Sequence, residues 1–224
     1  MIFQRSLTLL PVAFILASCA SVQIQDEFGT SAEVKPDSYA RYKDRLGVVL
    51  LDARWGRQWK CGKYENAQLV SFSFDKLPLS PNKPDEAPSD LTIGTTSHLA
   101  ASQKFESYAL LIPPGEYALS NFKIKLARSV SSIDYWVANR SHLIKDGKPL
   151  GGKFVVAPGE VVYVGNFALD CYENPTLWRY YANGRDGFRQ QLSDYQSKYP
   201  FLDLANVKFR LFETTTIGRS YALP

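Results

Sequence analysis

The chain has 224 residues, 45% of them hydrophobic, and its 26 lysine and arginine residues against 22 aspartate and glutamate residues give a formal charge of +4. That length and apolar fraction suit a folded domain with a sizeable core and exclude a disordered or fibrous chain. The charges are interspersed, as in Lys76, Lys83, Asp85, Glu86 and Asp90. A nucleic-acid binder needs a concentrated basic face, so no nucleic-acid partner is expected.

In chain order, Arg5 precedes an apolar run over 7–16 that is too short to span a bilayer and ends in small residues. Those are the marks of a secretory signal. The quartet Leu16-Ala17-Ser18-Cys19 resembles the lipobox of bacterial lipoproteins. The resemblance implies cleavage before Cys19, acylation of that cysteine with palmitate among its chains, and a firm membrane anchor, since two or three chains hold where one binds reversibly. In the sorting rule of that family an aspartate after the cysteine favours the inner membrane. Ala20 stands there, which implies the outer membrane; the periplasmic side is the expected one, though the sequence does not fix which side the protein faces. Ordinary cleavage beside Ser18-Cys19-Ala20 and a retained anchor are the alternatives. The expected organisation is a signal over 1–18, a lipidated N-terminus and tether over 19–37, and one β-sandwich domain over 38–224.

Tyr39, Tyr42 and Leu46 stand at helical spacing and predict a short helix ahead of the first strand. Period-two alternation and short β-branched or aromatic runs then predict strands over 47–52, 68–75, 105–112, 116–126, 132–138, 153–157, 160–169 and 206–214. The clearest is Val70, Phe72 and Phe74 set against Ser71, Ser73 and Asp75, two sets that a strand places on opposite faces. Pro78, Pro81, Pro84 and Pro88 punctuate a stretch that cannot be a central strand. It matches a polyproline ligand pattern but reads as a surface loop. Asp146-Gly147 marks a turn and Gly151-Gly152 a bulge or corner. Late in the chain Phe188, Leu192, Tyr195 and Tyr199 share a helical face, predicting a helix over about 186–199 with Asp186 placed to cap it and Pro200 to stop it. The order predicts a mainly β protein, an antiparallel β-sandwich with one or two peripheral helices.

Two segments echo one another: Pro113-Pro114-Gly115-Glu116-Tyr117 and Pro158-Gly159-Glu160-Val161-Val162-Tyr163. Proline presets φ for a turn and glycine accepts the positive φ that a type II turn needs next. The pattern resembles the Pro-Gly-x-Tyr turn of transthyretin-like, prealbumin-type β-sandwich domains, and bacterial envelope lipoproteins that pair such a turn with a later Gly-Glu-Val-x-Tyr strand. The resemblance implies a sandwich fold and no particular activity.

Cys61 and Cys171, exported to an oxidising compartment, are best read as a disulfide, with two buried free thiols as the alternative. Neither they nor the two histidines make a metal-ligand spacing, and no cofactor motif is present in the sequence. No catalytic set is expected. His98 and His142 lack the strained nucleophile turn of a serine hydrolase, and Asp170 and Glu173 would raise rather than lower a thiol pKa at Cys171. The binding candidates are aromatic and basic: Trp55, Arg57 and Trp59 ahead of Cys61, and Trp178, Arg179 and Tyr180 after Cys171. A disulfide would bring the two groups near each other. They read either as a recognition surface or as rings covering the core beside the staple. The expected role is a non-enzymatic envelope component that binds a protein partner. Binding of envelope glycans or small amphiphiles is the alternative, and a cell-wall hydrolase is a third reading without residues behind it.

Overall fold

The computed structural model describes residues 33–80, 82–95, 102–180, 184–210 and 212–213. In chain order the elements are α1 (Pro36–Tyr42), β1 (Gly47–Ala53), β2 (Gln58–Cys61), β3 (Tyr64–Lys76), β4 (Leu91–Gly94), β5 (Glu106–Ile112), β6 (Gly115–Ser129) and β7 (Ser132–Ala138). The one-turn α2 (Arg140–Leu143) follows, then the two-residue hairpin β8 (Ile144–Lys145) and β9 (Lys148–Pro149), β10 (Lys153–Val156), β11 (Val161–Asp170), β12 (Thr176–Tyr180), α3 (Gly184–Lys198) and β13 (Lys208–Phe209). The protein is mainly β, a sandwich with few helices. No helix among the described residues is long and apolar enough to cross a membrane.

Sheet A runs β12-β11-β1-β5, with β13 beside β11; sheet B runs β10-β6-β3-β2, with β4 on β3 and β7 on β6. The pairing is largely antiparallel, as expected, with an exception at the centre of sheet A, where β1 runs parallel to β11. β13 is also parallel to β11. The cause is that β1 and β11 enter the sheet from one end. The Gly159 amide donates to the Leu46 carbonyl at 2.9 Å, and the Val48 amide to that of Glu160 at 2.7 Å. Parallel neighbours need a long crossover, and the whole of sheet B supplies it.

The two echoing Pro-Gly segments have a common structural duty. The 112–115 link carries the chain from β5 in sheet A to β6 in sheet B, and the 157–160 turn carries it back from β10 to β11. Both lie at one end of the sandwich, since Gly115 pairs with Val156. Gly159 adopts φ +71°, the left-handed value that the second half of a type II turn requires.

Between the sheets the rings of Phe72, Phe74, Phe154, Phe167 and Phe212 fill the core, with Phe72 and Phe167 centred 5.0 Å apart. Phe72 and Phe74 face inward and Ser71, Ser73 and Asp75 outward, as the alternation predicts, whereas Val70 falls at a bulge in β3 and Leu69 joins the core in its place. A second cluster covers the other face of sheet A, where Tyr195, Tyr199 and Leu192 pack on Val48, Leu50 and Tyr163. Both faces of β1 are therefore buried, which its unbroken apolar run requires. α3 begins at Gly184, so Asp186 lies inside the helix and not at its cap. The side chains of Asp186 and Phe188 lie outside those described.

Four short pieces escape the sequence pattern: β2, β4, β12 and the β8–β9 hairpin. The strand expected over 206–214 shrinks to Lys208–Phe209 plus a bridge from Glu213 to Lys153, and residue 214 lies outside the described residues. The proline-rich stretch is a tightly held loop. Arg140 is buried beneath it and donates to the carbonyls of Pro84, Asp85 and Ala87. The Cys61–Cys171 disulfide closes a separation of 110 residues and joins the end of β2 in sheet B to the end of β11 in sheet A. The backbone approach there is close: a Cβ at Gly62 would lie 2.3 Å from the Glu173 carbonyl oxygen.

Candidate functional site

The disulfide does not gather the six aromatic and basic candidates into one surface. Trp55 belongs to the core. Its ring stacks on Phe72 at 5.7 Å, and its Nε1 donates to the Tyr108 hydroxyl at 2.8 Å, which donates in turn to Glu106 at 2.9 Å. The segment after β1 folds inward over the end of the phenylalanine cluster, which removes Trp55 from water. Trp178 is half-buried against the same core. The Arg179 guanidinium donates to the Phe212 carbonyl and so holds the chain beside β12. Tyr180 pairs through its backbone with Asn166; its side chain lies outside those described. Among the described side chains of the six, Trp59 is the exposed one, at 61%, with the half-buried Arg57 guanidinium 5.4 Å from its indole centroid.

Trp59 nevertheless belongs to a larger surface. Cross-strand partners share a face, and the pairings of Trp59 with Asn66, Asn66 with Ala127, and Ala127 with Ile133 draw one row across β2, β3, β6 and β7. A second row holds Gln68, Lys125 and Tyr135, and a third Ser71, Lys123 and Val137. Lys123 Nζ lies 5.0 Å from the Tyr135 ring centroid. Ile133, Tyr135 and Val137 are all exposed. The three rows contain two lysines and no carboxylate. This outer face of sheet B is what reading the sequence missed. The strand at 132–138 was legible, but both of its alternating sets contain large apolar residues, Ile133-Tyr135-Val137 and Trp136-Ala138, so the pattern alone could not name the inward set.

Two buried carboxylates lie outside these three rows and serve the fold. On the outer side of β1, Asp52 accepts from Ser107 Oγ at 2.5 Å and from the Tyr195 hydroxyl of α3 at 2.8 Å. Burial pushes its carboxyl up to about 6, against the pull of those two hydroxyls. On the outer side of β3, Asp75 accepts from Arg140 Nε at 2.5 Å, Lys83 Nζ at 2.6 Å and the Asp90 amide at 3.0 Å. Burial raises that carboxyl too, but the cationic donors outweigh it and hold Asp75 below the ordinary carboxylate range. Neither acid has a histidine or thiol beside it among the described residues. His142 is exposed, and its Nδ1 accepts from the Asn139 amide at 3.4 Å; His98 lies outside the described residues. The described residues contain no group of three or more His, Cys, Asp or Glu able to hold a metal ion.

Among the described residues the surface also carries open clefts, two of which lie near these elements. One of about 520 Å³ lies between α3 and the 204–210 segment, with Leu192, Val207 and Phe209 on its walls and Arg189, Lys208 and Arg210 at its rim. Arg210 is tied to Glu160 at 2.8 Å. The other, about 600 Å³, lies beside the proline-rich loop at Leu77, Leu79 and Lys83. Compared with known protein families, curated proteins and solved structures, the chain matches none.

Proposed function

We propose that this chain is an outer-membrane-anchored envelope lipoprotein that acts without catalysis, binding a protein partner from the membrane surface through the outer face of sheet B. The observation that carries the reading is that face: three in-register rows with exposed Trp59, Ile133, Tyr135 and Val137 around Lys123 and Lys125. Exposed apolar side chains grouped on one flat face mark interaction surfaces, and Trp and Tyr with cationic neighbours are the residues that dominate protein interfaces. Acylation at Cys19 would restrict the domain to a shell above the membrane. The stretch from Cys19 to Glu33, extended at about 3.3–3.6 Å per residue, spans at most roughly 50 Å. Restriction of that kind raises effective concentration, so modest affinity suffices.

The test is cross-linking in intact cells from a photoreactive residue at position 135, with Cys19→Ala and Lys123→Glu/Lys125→Glu forms alongside. One dominant protein, lost in both variants, supports the reading. Cross-links to many abundant envelope proteins, unchanged in the variants, would remove it. A second reading, binding of envelope glycans or small amphiphiles, draws support from the exposed Trp59 ring and from the basic-rimmed cleft beside α3. It predicts saturable binding of glycan fragments that Trp59→Ala abolishes.

A further inference from the structure

β7 lies at the margin of sheet B. It pairs with β6 along one edge over Ser132–Ala138, and among the described residues no strand pairs with its other edge. Such an edge presents a row of peptide donors and acceptors, and proteins normally blunt it with charges, prolines or bulges. The chain itself covers two of its other margins. Glu33 bridges to Leu110 on β5, and Glu213 bridges to Lys153 on β10. β7 carries no proline and one charge, Asp134, which lies 3.8 Å from Arg128. Its outward side chains are Ile133, Tyr135 and Val137, exposed by 46%, 48% and 41%. An edge so long, so apolar and so open suits the reception of another strand.

The charge beside it says what that strand must carry. An added strand would lie about 4.8 Å from β7 and so about 10 Å from β6. On β6, Lys123 and Lys125 rise on the outward face behind Val137 and Tyr135. Neither has an ion-pair partner among the described residues. Extended lysine stems cross one strand and meet carboxylates on the outward side of the newcomer, where close opposite charges steer encounter and fix register. On its other side β7 offers the exposed Ser132 and Asp134 and then Trp136 and Ala138, both buried, so the newcomer's residues beside that buried pair must be apolar. A second copy of β7 fits poorly, because it would bring its own lysines to the same junction.

We infer that β7 receives an extended segment of the partner protein, about seven residues of alternating acidic and apolar character, as an additional strand of sheet B. This rests on the protein-binding reading above and names its mode. The test uses the full lipidated chain in detergent and an acetylated, amidated heptapeptide of alternating glutamate and valine. Amide hydrogen exchange across 132–138 is followed as the peptide is added. The free chain exchanges half of those amides fast, and the peptide slows them saturably. Lys123→Glu/Lys125→Glu weakens binding at least about tenfold. A peptide N-methylated at alternate residues does not bind, nor does one with lysine in place of glutamate.

Slow exchange throughout 132–138 in the free chain would overturn the inference, since the edge would already be filled. Equal binding of the N-methylated or the lysine peptide would do so as well. A partner cross-linked from position 135, together with undiminished binding of the N-methylated peptide, would leave the protein-binding reading standing and remove strand addition alone. No partner in cells would remove the reading, and this inference with it.

Discussion

The outer face of sheet A is roofed by α3 and the 33–42 segment, while the outer face of sheet B is roofed only at its Asp75 end, by the proline-rich loop and α2. Each roof covers one buried aspartate, and the two are satisfied in opposite ways. Asp75 meets a guanidinium and an ammonium. Asp52 meets two hydroxyls, Ser107 and Tyr195, with Lys198 acting only at longer range. A buried charge is costly unless paired, so Asp75 stays ionised through its cations while Asp52 moves toward its neutral form. Where sheet B has no roof, its side chains are aromatic, aliphatic and lysine rather than buried acid. The covered regions thus hold buried acids paired within the fold, and the bare region holds exposed aromatic, aliphatic and lysine side chains.

The sharpest way to break the contrast is to separate the two sheets. Replacing Cys61 and Cys171 together with serine opens a 110-residue separation, for which chain entropy gives a loss of roughly 4–5 kcal/mol. A urea titration of oxidised wild type against the double variant measures it. A loss under about 1 kcal/mol would mean that the sheets hold one another without the staple. Next comes the roof over sheet B. Arg140→Ala leaves Asp75 with Lys83 as its cationic partner and frees the carbonyls of Pro84, Asp85 and Ala87, at a cost of about 3 kcal/mol for breaking a buried pair. Proteolysis in the 77–90 loop should accelerate with it, while cleavage near α3 should not.

The two aspartates also give pH dependences of opposite sign. Asp52 holds a proton in the folded chain up to about pH 6, whereas the unfolded chain releases it near 4. Stability on this account falls as pH rises through that window, by on the order of 3 kcal/mol. Asp75 is lowered, so its contribution is present above its unfolded value and is lost as pH falls through its folded one. Asp52→Asn should flatten the decline between pH 4 and 6 and leave the acid limb intact. Unfolding midpoints from pH 3 to 8 for wild type and variant decide it. An unchanged slope between 4 and 6 would place the charge-dependent instability somewhere other than under α3.

Much of this architecture was legible in the residues. Ser132–Ala138 was read to the residue, and β1 and β11 to within one at each end, because their apolar runs are long relative to the turns that bound them. The short margins were not. β2 ends in a turn where Lys60 takes φ +56°, which breaks the alternation, and β4 is four residues emerging from a proline-rich loop. The parallel pairing of β1 with β11 could not be read either, since it depends on two distant turns meeting. The candidate surface was half legible for a related reason. Trp55 and Trp59 look alike by composition and stand four residues apart, yet one stacks in the core and the other faces water. What joins Trp59 to Lys125 and Tyr135 is cross-strand register, and no local pattern in the chain records it.

The smallest expected effect on stability is the one that bears most on function. Trp59→Ala and Lys123→Glu/Lys125→Glu alter side chains that satisfy no buried group, so thermal or urea midpoints should move by no more than about 0.5 kcal/mol. Partner capture in cells should fall at least about tenfold, because charge reversal beside an interface both removes attraction and adds repulsion. Trp55→Ala supplies the contrast within the same short segment: it empties a stacked core site and leaves Tyr108 without its donor, costing about 3–5 kcal/mol. If Trp59→Ala proved as destabilising as Trp55→Ala, the outer face of sheet B would be a fourth covered surface rather than a bare one. If Trp59→Ala left both stability and capture unchanged, recognition would have to reside on β7 and its two lysines alone, which the separate lysine variants then decide.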